Sequence, residues 1–250
     1  LALKLLAVKE KINIGCCCVN HHLRAAAGKE AEFVESVCRE WNIPFILKEV
    51  DVQSAVRNGG SIETAARDLR YKALREAARG GRYAKIAVAH HGDDQAETVL
   101  YHLLRGSGVT GLSGMKPING DIIRPFLCVS KNEIKDFLKD FSYVPCHDES
   151  NDVEDAVRNR IRLSLVPELI SYNPRVTESL RRTADIFREE DLFMEEKADV
   201  FISSCVEHDN DKCVFFIAYF LVLHIALQRR VIRKICCMVA GRIPSFEGTE

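Results

Sequence analysis

The chain has 250 residues, 47% of them apolar and 28% charged, with a formal net charge of −1. That balance is ordinary for a globular protein and allows one large domain plus part of a second. It provides no global positive field, so contact with nucleic acid would have to come from local clusters of cations.

Leu1 to Glu10 reads as the end of a helix, with Leu1, Leu3, Leu5 and Leu6 already in helical spacing. The chain opens inside that pattern without Met and with no signal-peptide features, so it reads as a fragment whose beginning is missing. Ile12 to Asn20 is apolar and β-branched and predicts a buried strand. Gly28 to Asn42 predicts a helix through Ala31, Val34, Val37 and Trp41, closed by Pro44 because proline restricts the residue before it. Phe45 to Val50 is the next strand. Ser61 can cap the following helix, whose apolar face is Ile62, Ala65, Ala66, Leu69, Ala73 and Ala77 and which Gly80-Gly81 ends. Then come a strand from Lys85 to Ala89 and a helix from Asp93 to Leu104 with Ala96, Val99, Leu100 and Leu103 on one face.

This alternation predicts an α/β fold with a parallel sheet and helices on both faces. Gly106 to Gly120 reads as a loop, Ile122 to Pro125 as a short strand, and Ser130 to Leu138 as a helix. From about Asp152 the pattern is helical, with no further strand. Val214 to Leu227 is the most apolar stretch; a bilayer span needs about 20 such residues, so it predicts a core helix and no membrane contact. The charged stretch Glu189 to Glu195 suggests a boundary, giving a domain at 1–190 and a partial helical domain at 191–250.

There are 10 cysteines. Neighbours in Cys16-Cys17-Cys18 and Cys236-Cys237 are poor disulfide partners, and no C-x-x-C spacing occurs. Buried free thiols in a reducing, cytoplasmic setting are expected.

The stretch most suggestive of chemistry is His90-His91-Gly92-Asp93-Asp94-Gln95-Ala96-Glu97-Thr98, where a strand ends and a helix begins. Ligands of open α/β sheets bind at such crevices. Asp94 and Glu97 are three apart and share a helix face with Thr98 and Tyr101. Acidic residues there can simply complement the helix dipole, which leaves His90 and His91 without a role. Alternatively, His and Asp at a strand end suit a divalent cation. The residues alone leave both readings open.

Arg67 and Arg70 lie opposite an apolar stripe, as a solvated face would, although a guanidinium also grips phosphate or carboxylate. Arg105-Gly106-Ser107-Gly108 is either a weak phosphate cradle or a left-handed helix cap. Arg158, Arg160 and Arg162 form a strip that is either helix surface or a phosphate-contacting patch for nucleic acid.

Taken in order, Val19 to Arg24, Ser61 to Arg67, Leu69-Arg70-Tyr71, His90 to Thr98, Leu104 to Gly108, Gly111 to Met115, Ile123-Arg124-Pro125, Asp148 to Asn151 and Arg158 to Arg162 resemble the tRNA(Ile)-lysidine synthetases, over roughly Leu1 to Val176. The resemblance implies a PP-loop ATPase fold, a Rossmann-like adenine nucleotide alpha-hydrolase sheet, followed by a partial helical domain. It implies a carbon–nitrogen ligase that uses ATP with Mg²⁺. ATP adenylates the C2 oxygen of the wobble cytidine in the CAU-anticodon isoleucine tRNA, and the ε-amine of L-lysine displaces AMP to give lysidine.

By the same resemblance, Arg70, Asp94, Glu97 and Arg162 are catalytic, and His90, Asp94 and Glu97 hold the lysine. Val19, Asn20, His21 and Arg105 line the ATP site, and Arg158, Arg160 and Arg162 face tRNA. No metal-ligating residues are implied, and a homodimer is allowed.

The family's phosphate loop, S-G-G-x-D-S, and the strand before it are absent from this sequence, so no lysidine formation is expected from residues 1–250 alone. Three alternatives remain. A PP-loop tRNA thiolase would need a cysteine set that is missing here. A metal-dependent phosphohydrolase would use His90, His91, Asp93 and Asp94. The last is a non-catalytic tRNA-binding remnant.

Overall fold

The computed structural model describes residues 1–22, 27–56, 62–141, 143, 157–209 and 212–240. The expected cap Ser61, the pair Leu23-Arg24 and the Asp148 to Asn151 motif lie outside them. The chain forms two compact units that interleave along the sequence, Leu1–His91 with Lys116–Asp148 and Gly92–Met115 with Glu149–Glu250.

The first unit opens with α1 (Ala2–Glu10), β1 (Cys16–Asn20), α2 (Ala27–Glu40), β2 (Phe45–Glu49), α3 (Val52–Val56), α4 (Ile62–Gly80) and β3 (Ile86–Ala87). The chain then contributes α5 (Gly92–Leu104) and α6 (Val109–Leu112) to the second unit and returns with β4 (Ile118–Asn119), β5 (Ile122–Ile123) and α7 (Lys131–Asp140). β1 and β2 are parallel, in register from Cys16↔Phe45 to Asn20↔Glu49. β3 and β5 are also parallel, with Ile86 opposite Ile122, and β4 pairs antiparallel to β5.

This is the α/β architecture the alternation predicts. The β3 ladder is shorter than expected because its partner is short. Val88 N–H still donates to Ile123, but Pro125 has no N–H to extend the pairing. α2 buries Ala31 and Cys38, and α4 buries Tyr71, Ala73 and Ala77. Ser130 caps α7 through a reciprocal capping box with Glu133.

A cavity of about 730 Å³ in this unit lies among Gly15, Cys16, Val37, Leu74, Tyr83 and Ile86, toward the start of β1. Burial and the neighbouring Cys38 thiol push the Cys16 thiol up to about 12, so it stays protonated and inert. Among the described residues Cys38 is buried, whereas Cys128 and Cys237 are exposed.

The second unit continues with α8 (Val157–Arg160), a π-helical turn (Ile161–Leu165), α9 (Val166–Tyr172), α10 (Val176–Cys205), β6 (Val206–Asp209), β7 (Lys212–Phe215), α11 (Ile217–Leu221) and α12 (Ile225–Ala240). The expected boundary at Glu189 to Glu195 falls within the unbroken helix α10. The β6–β7 hairpin corrects the all-helical reading of this region, and it also splits the apolar run from Val214 to Leu227. Such a run has no diagnostic period, so tertiary packing decides its form. Phe215, Phe220 and Leu223 pack on a core of Ala198, Phe201, Ile202, Val231 and Ile235. Phe216 and Val222, from the same run, are 76% and 82% exposed. No helix among the described residues is long and apolar enough to cross a membrane.

Candidate functional site

In the second unit, Gly92 starts α5 and places Asp93 and Asp94 in the first turn, where unpaired backbone N–H groups favour carboxylates. Ala96, Val99 and Leu100 bury one side of the helix as their spacing predicts, while Leu103 is 55% exposed. Asp94 and Glu97 are themselves buried, 8% and 4% exposed. Ionised carboxylates tolerate such burial only when paired.

Their partners come from the arginine strip. Arg162 Nε donates to Glu97 Oε1 at 2.6 Å, and its Nη2 donates to Glu97 Oε2 and Asp94 Oδ1, each at 3.0 Å. Arg158 Nε donates to Glu97 Oε2 at 3.3 Å, and its Nη2 lies 3.6 Å from Asp94 Oδ1. The Glu97 hydrogen bond, added to the charges of Asp94 and Asp93, raises the Arg162 pKa against the opposing effect of burial. Two buried carboxylates thus face two guanidiniums.

The strip therefore divides. Arg158 and Arg162 turn inward to the carboxylates, whereas Arg160 is exposed and has no ion pair among the described residues. Arg105 is exposed and folds back on Tyr101, with its guanidinium 5.2 Å from the ring centroid. Gly106 follows with φ of +71°, the left-handed conformation that the cap reading requires.

Sequence reasoning gave Gln95 no role. It is 2% exposed and clamps the turn at Ser113 to Met115. Its Oε1 accepts from Met115 N–H at 2.8 Å, and its Nε2 donates to the carbonyls of Ser113 and Met115. Arg188 donates to the same two carbonyls. Gly114 has φ of +62°, and a Cβ there would stand 2.8 Å from the Gln95 amide. The available signal was a glutamine within the stripe of Ala96, Val99 and Leu100.

In the first unit, β1 delivers Val19, Asn20 and His21 to its C-terminal end. Asn20 is buried, its carbonyl accepts from Val50 N–H, and its side chain accepts from His22 N–H at 2.9 Å. His21 Nδ1 is buried without a hydrogen-bond partner. Burial, and then the nearby Arg70 charge, lower the His21 pKa and keep its ring neutral. The structure thus brings His21 and Arg70 together, with Arg70 and Arg67 stacked beside Tyr71. His90 is half-buried just beyond β3. Among the described residues no group of three or more His, Cys, Asp or Glu side chains could hold a metal ion.

A family model described as the PP-loop domain matches residues 1–169. A tRNA(Ile)-lysidine synthase of Caldanaerobacter subterraneus subsp. tengcongensis is 37% identical over 232 residues, 92% of this chain and 50% of that protein. One from Thermotoga maritima is 34% identical over 238 residues, 95% of this chain and 56% of that protein. The chain thus spans about half the length of the curated relatives it matches. Among solved structures it is similar to the U34-tRNA thiolase NcsA from Methanococcus maripaludis, with its [4Fe-4S] cluster. That match has a TM-score of 0.58 and 17% identity over 75% of this chain and 68% of the other, a likeness of fold alone. With parallel β1–β2 and β3–β5 pairs, ligand-type residues at their C-terminal ends and a family match over 169 residues, the chain belongs to the PP-loop domain family.

Proposed function

We propose that the whole protein ligates L-lysine to the wobble cytidine of the CAU-anticodon isoleucine tRNA in two ATP-dependent steps. The C2 oxygen of the base attacks the α-phosphorus of ATP and pyrophosphate leaves. The lysine ε-amine then attacks C2 and AMP leaves, giving lysidine.

The observation that supports this reading is the buried Asp94–Glu97 pair, held by two guanidiniums at the N-terminal turns of α5. Their carboxylate oxygens can accept hydrogen bonds from a lysine amine. Arg158 and Arg162 temper their field, so a neutral, nucleophilic amine remains accessible. Arg162 and Arg70 are suited to charge developing on phosphate or on the adenylated base. His21 Nδ1, an orphaned buried nitrogen, fits a hydrogen bond to a nucleotide at the end of β1. When bound, ATP supplies the adenylyl group. Mg²⁺ would meet no cluster of protein carboxylates among the described residues, so no residue is assigned to hold it.

The exposed Arg160 fits a tRNA phosphate contact. A catalytic domain at 1–190 and the start of a helical, tRNA-facing domain at 191–250 remain part of the proposal, although α10 runs unbroken across that boundary and the core at Ala198, Phe201, Ile202, Val231 and Ile235 lies in the same compact unit as α5. Asp94→Asn in the whole protein tests the reading. Lysine binding should weaken while adenylate formation persists, followed by calorimetry with lysine and by pyrophosphate release. Equal lysine affinity in both proteins would remove Asp94 from the role.

A further inference from the structure

Among the described residues, every buried charge but one is matched by an opposite charge. Asp94 and Glu97 pair with Arg158 and Arg162, and Asp191 pairs with Arg230. The exception is Arg124, 6% exposed and without any carboxylate partner among the described residues. Its guanidinium makes one hydrogen bond, from Nη1 to the Lys116 carbonyl at 2.7 Å, and its Nε is buried with no partner at all. Nη2 makes no hydrogen bond, yet it is not among the buried unpartnered atoms, so it is the edge still open to solvent. A guanidinium cannot relieve this by losing its proton. A recessed cation held by one neutral carbonyl is costly and calls for a partner.

Position indicates what that partner is. Arg124 directly follows β5, and its N–H donates to the Pro117 carbonyl at 2.8 Å. β5 runs parallel to β3, with Val88 N–H on Ile123, so Arg124 leaves the sheet at the edge that also releases His90 and His91. C-terminal edges of parallel strands are where ligands of such sheets bind. We propose that Arg124 is the seat for an oxyanion, reached through the open Nη2, with the unpartnered Nε on the same edge of the guanidinium. Phosphate and carboxylate share the required chemistry, two oxygens that match the guanidinium fork. On the proposed function they would come from ATP and from the lysine α-carboxylate respectively, and in naming these sources the inference rests on that reading.

Calorimetric titrations of the whole protein with ATP, L-lysine, inorganic phosphate and acetate, on wild type, Arg124→Lys and Arg124→Gln, test it. Arg124→Gln should weaken one substrate by at least about tenfold and leave the other within about twofold, with Arg124→Lys intermediate. A loss confined to ATP and phosphate identifies the phosphate source, and a loss confined to lysine and acetate the carboxylate source. If neither substrate binds wild type, the proposed function fails, while loss of phosphate or acetate binding in the variant still upholds the seat. All four affinities unchanged in a folded Arg124→Gln overturn it. Should the variant not fold, nitrogen NMR of the Arg124 side chain in wild type decides. Resonances that move with saturating phosphate or acetate support the seat, and resonances unmoved by both reject it.

Discussion

Asp94, Glu97, Arg158 and Arg162 form one ion cluster of the second unit, and Asp191, Glu195, Asp199, Arg230 and Lys234 form another. Both draw their cations from a distant part of the chain, but the first buries both its carboxylates and the second only Asp191. The second is a ladder. Its acids recur every four residues on α10 and its bases every four on α12, and Arg230 Nη1 bridges Asp191 at 2.6 Å and Glu195 at 2.7 Å. Lys234 Nζ continues to Glu195 and Asp199, each at 2.6 Å, and Thr110 donates to Asp191. Such regular spacing is the pattern of two helices zipped together. The first cluster has no such repeat. Two forked cations converge on two acids in the N-terminal turns of α5. The same chemistry thus serves cohesion where it is periodic and points to a ligand where it converges.

The sharpest break in the comparison is Arg162→Ala. On the proposed function, lysidine formation by the whole protein should fall by about a hundredfold or more, because Arg162 would then face developing charge. The same assay on Arg230→Ala should show loss only in proportion to unfolded protein. Equal specific activities in folded Arg162→Ala and wild type would place both clusters in the cohesive class.

Stability should show the converse. Arg230→Ala strands Asp191, whose side chain is only 4% exposed, and should cost about 3 kcal/mol in urea unfolding. A change below about 0.5 kcal/mol would make the ladder mere surface decoration.

Acid sharpens the contrast further. Burial pushes the Glu195 carboxyl up, but the hydrogen bonds from Lys234 and Arg230 outweigh it and hold the pKa below the usual value. A carboxyl held low when folded contributes stability above its unfolded pKa of about 4.3, and that contribution is lost as the pH falls through the folded value. Glu195→Gln should therefore be less stable than wild type at neutral pH, with the gap closing below about pH 4 in acid unfolding curves. A gap independent of pH would refute the linkage.

The smallest effect concerns Arg160, which belongs to neither cluster. Arg160→Ala should lower the salt slope of tRNA binding by about one charge. An unchanged slope would leave it a solvated side chain.

Much of the fold was legible because periodicity is local. The strands at Cys16 and Phe45 and the helices at Ala27, Gly92 and Lys131 fall where apolar spacing, Pro44 and Ser130 put them. The β6–β7 hairpin was not legible, because Val214 to Phe220 is apolar at every position and carries no period to read. At the site, Asp94 and Glu97 stood out by their place at a strand-to-helix junction. Their grip on Arg158 and Arg162 did not, because some sixty residues separate the partners. Nor did the Gln95 clamp or the lone burial of Arg124 show in the one-dimensional pattern.

The sequence by itself determined the alternating α/β plan, the parallel pairing it implies and the junction that bears the acidic side chains, since these follow from side-chain period and from turn residues within reach of one another. Only the tertiary structure decided which arginines are taken inward, which one is left outside and which stands buried without a carboxylate among the described residues. Those outcomes depend on burial and on distances between segments far apart in the chain, and neither quantity exists until the chain has folded.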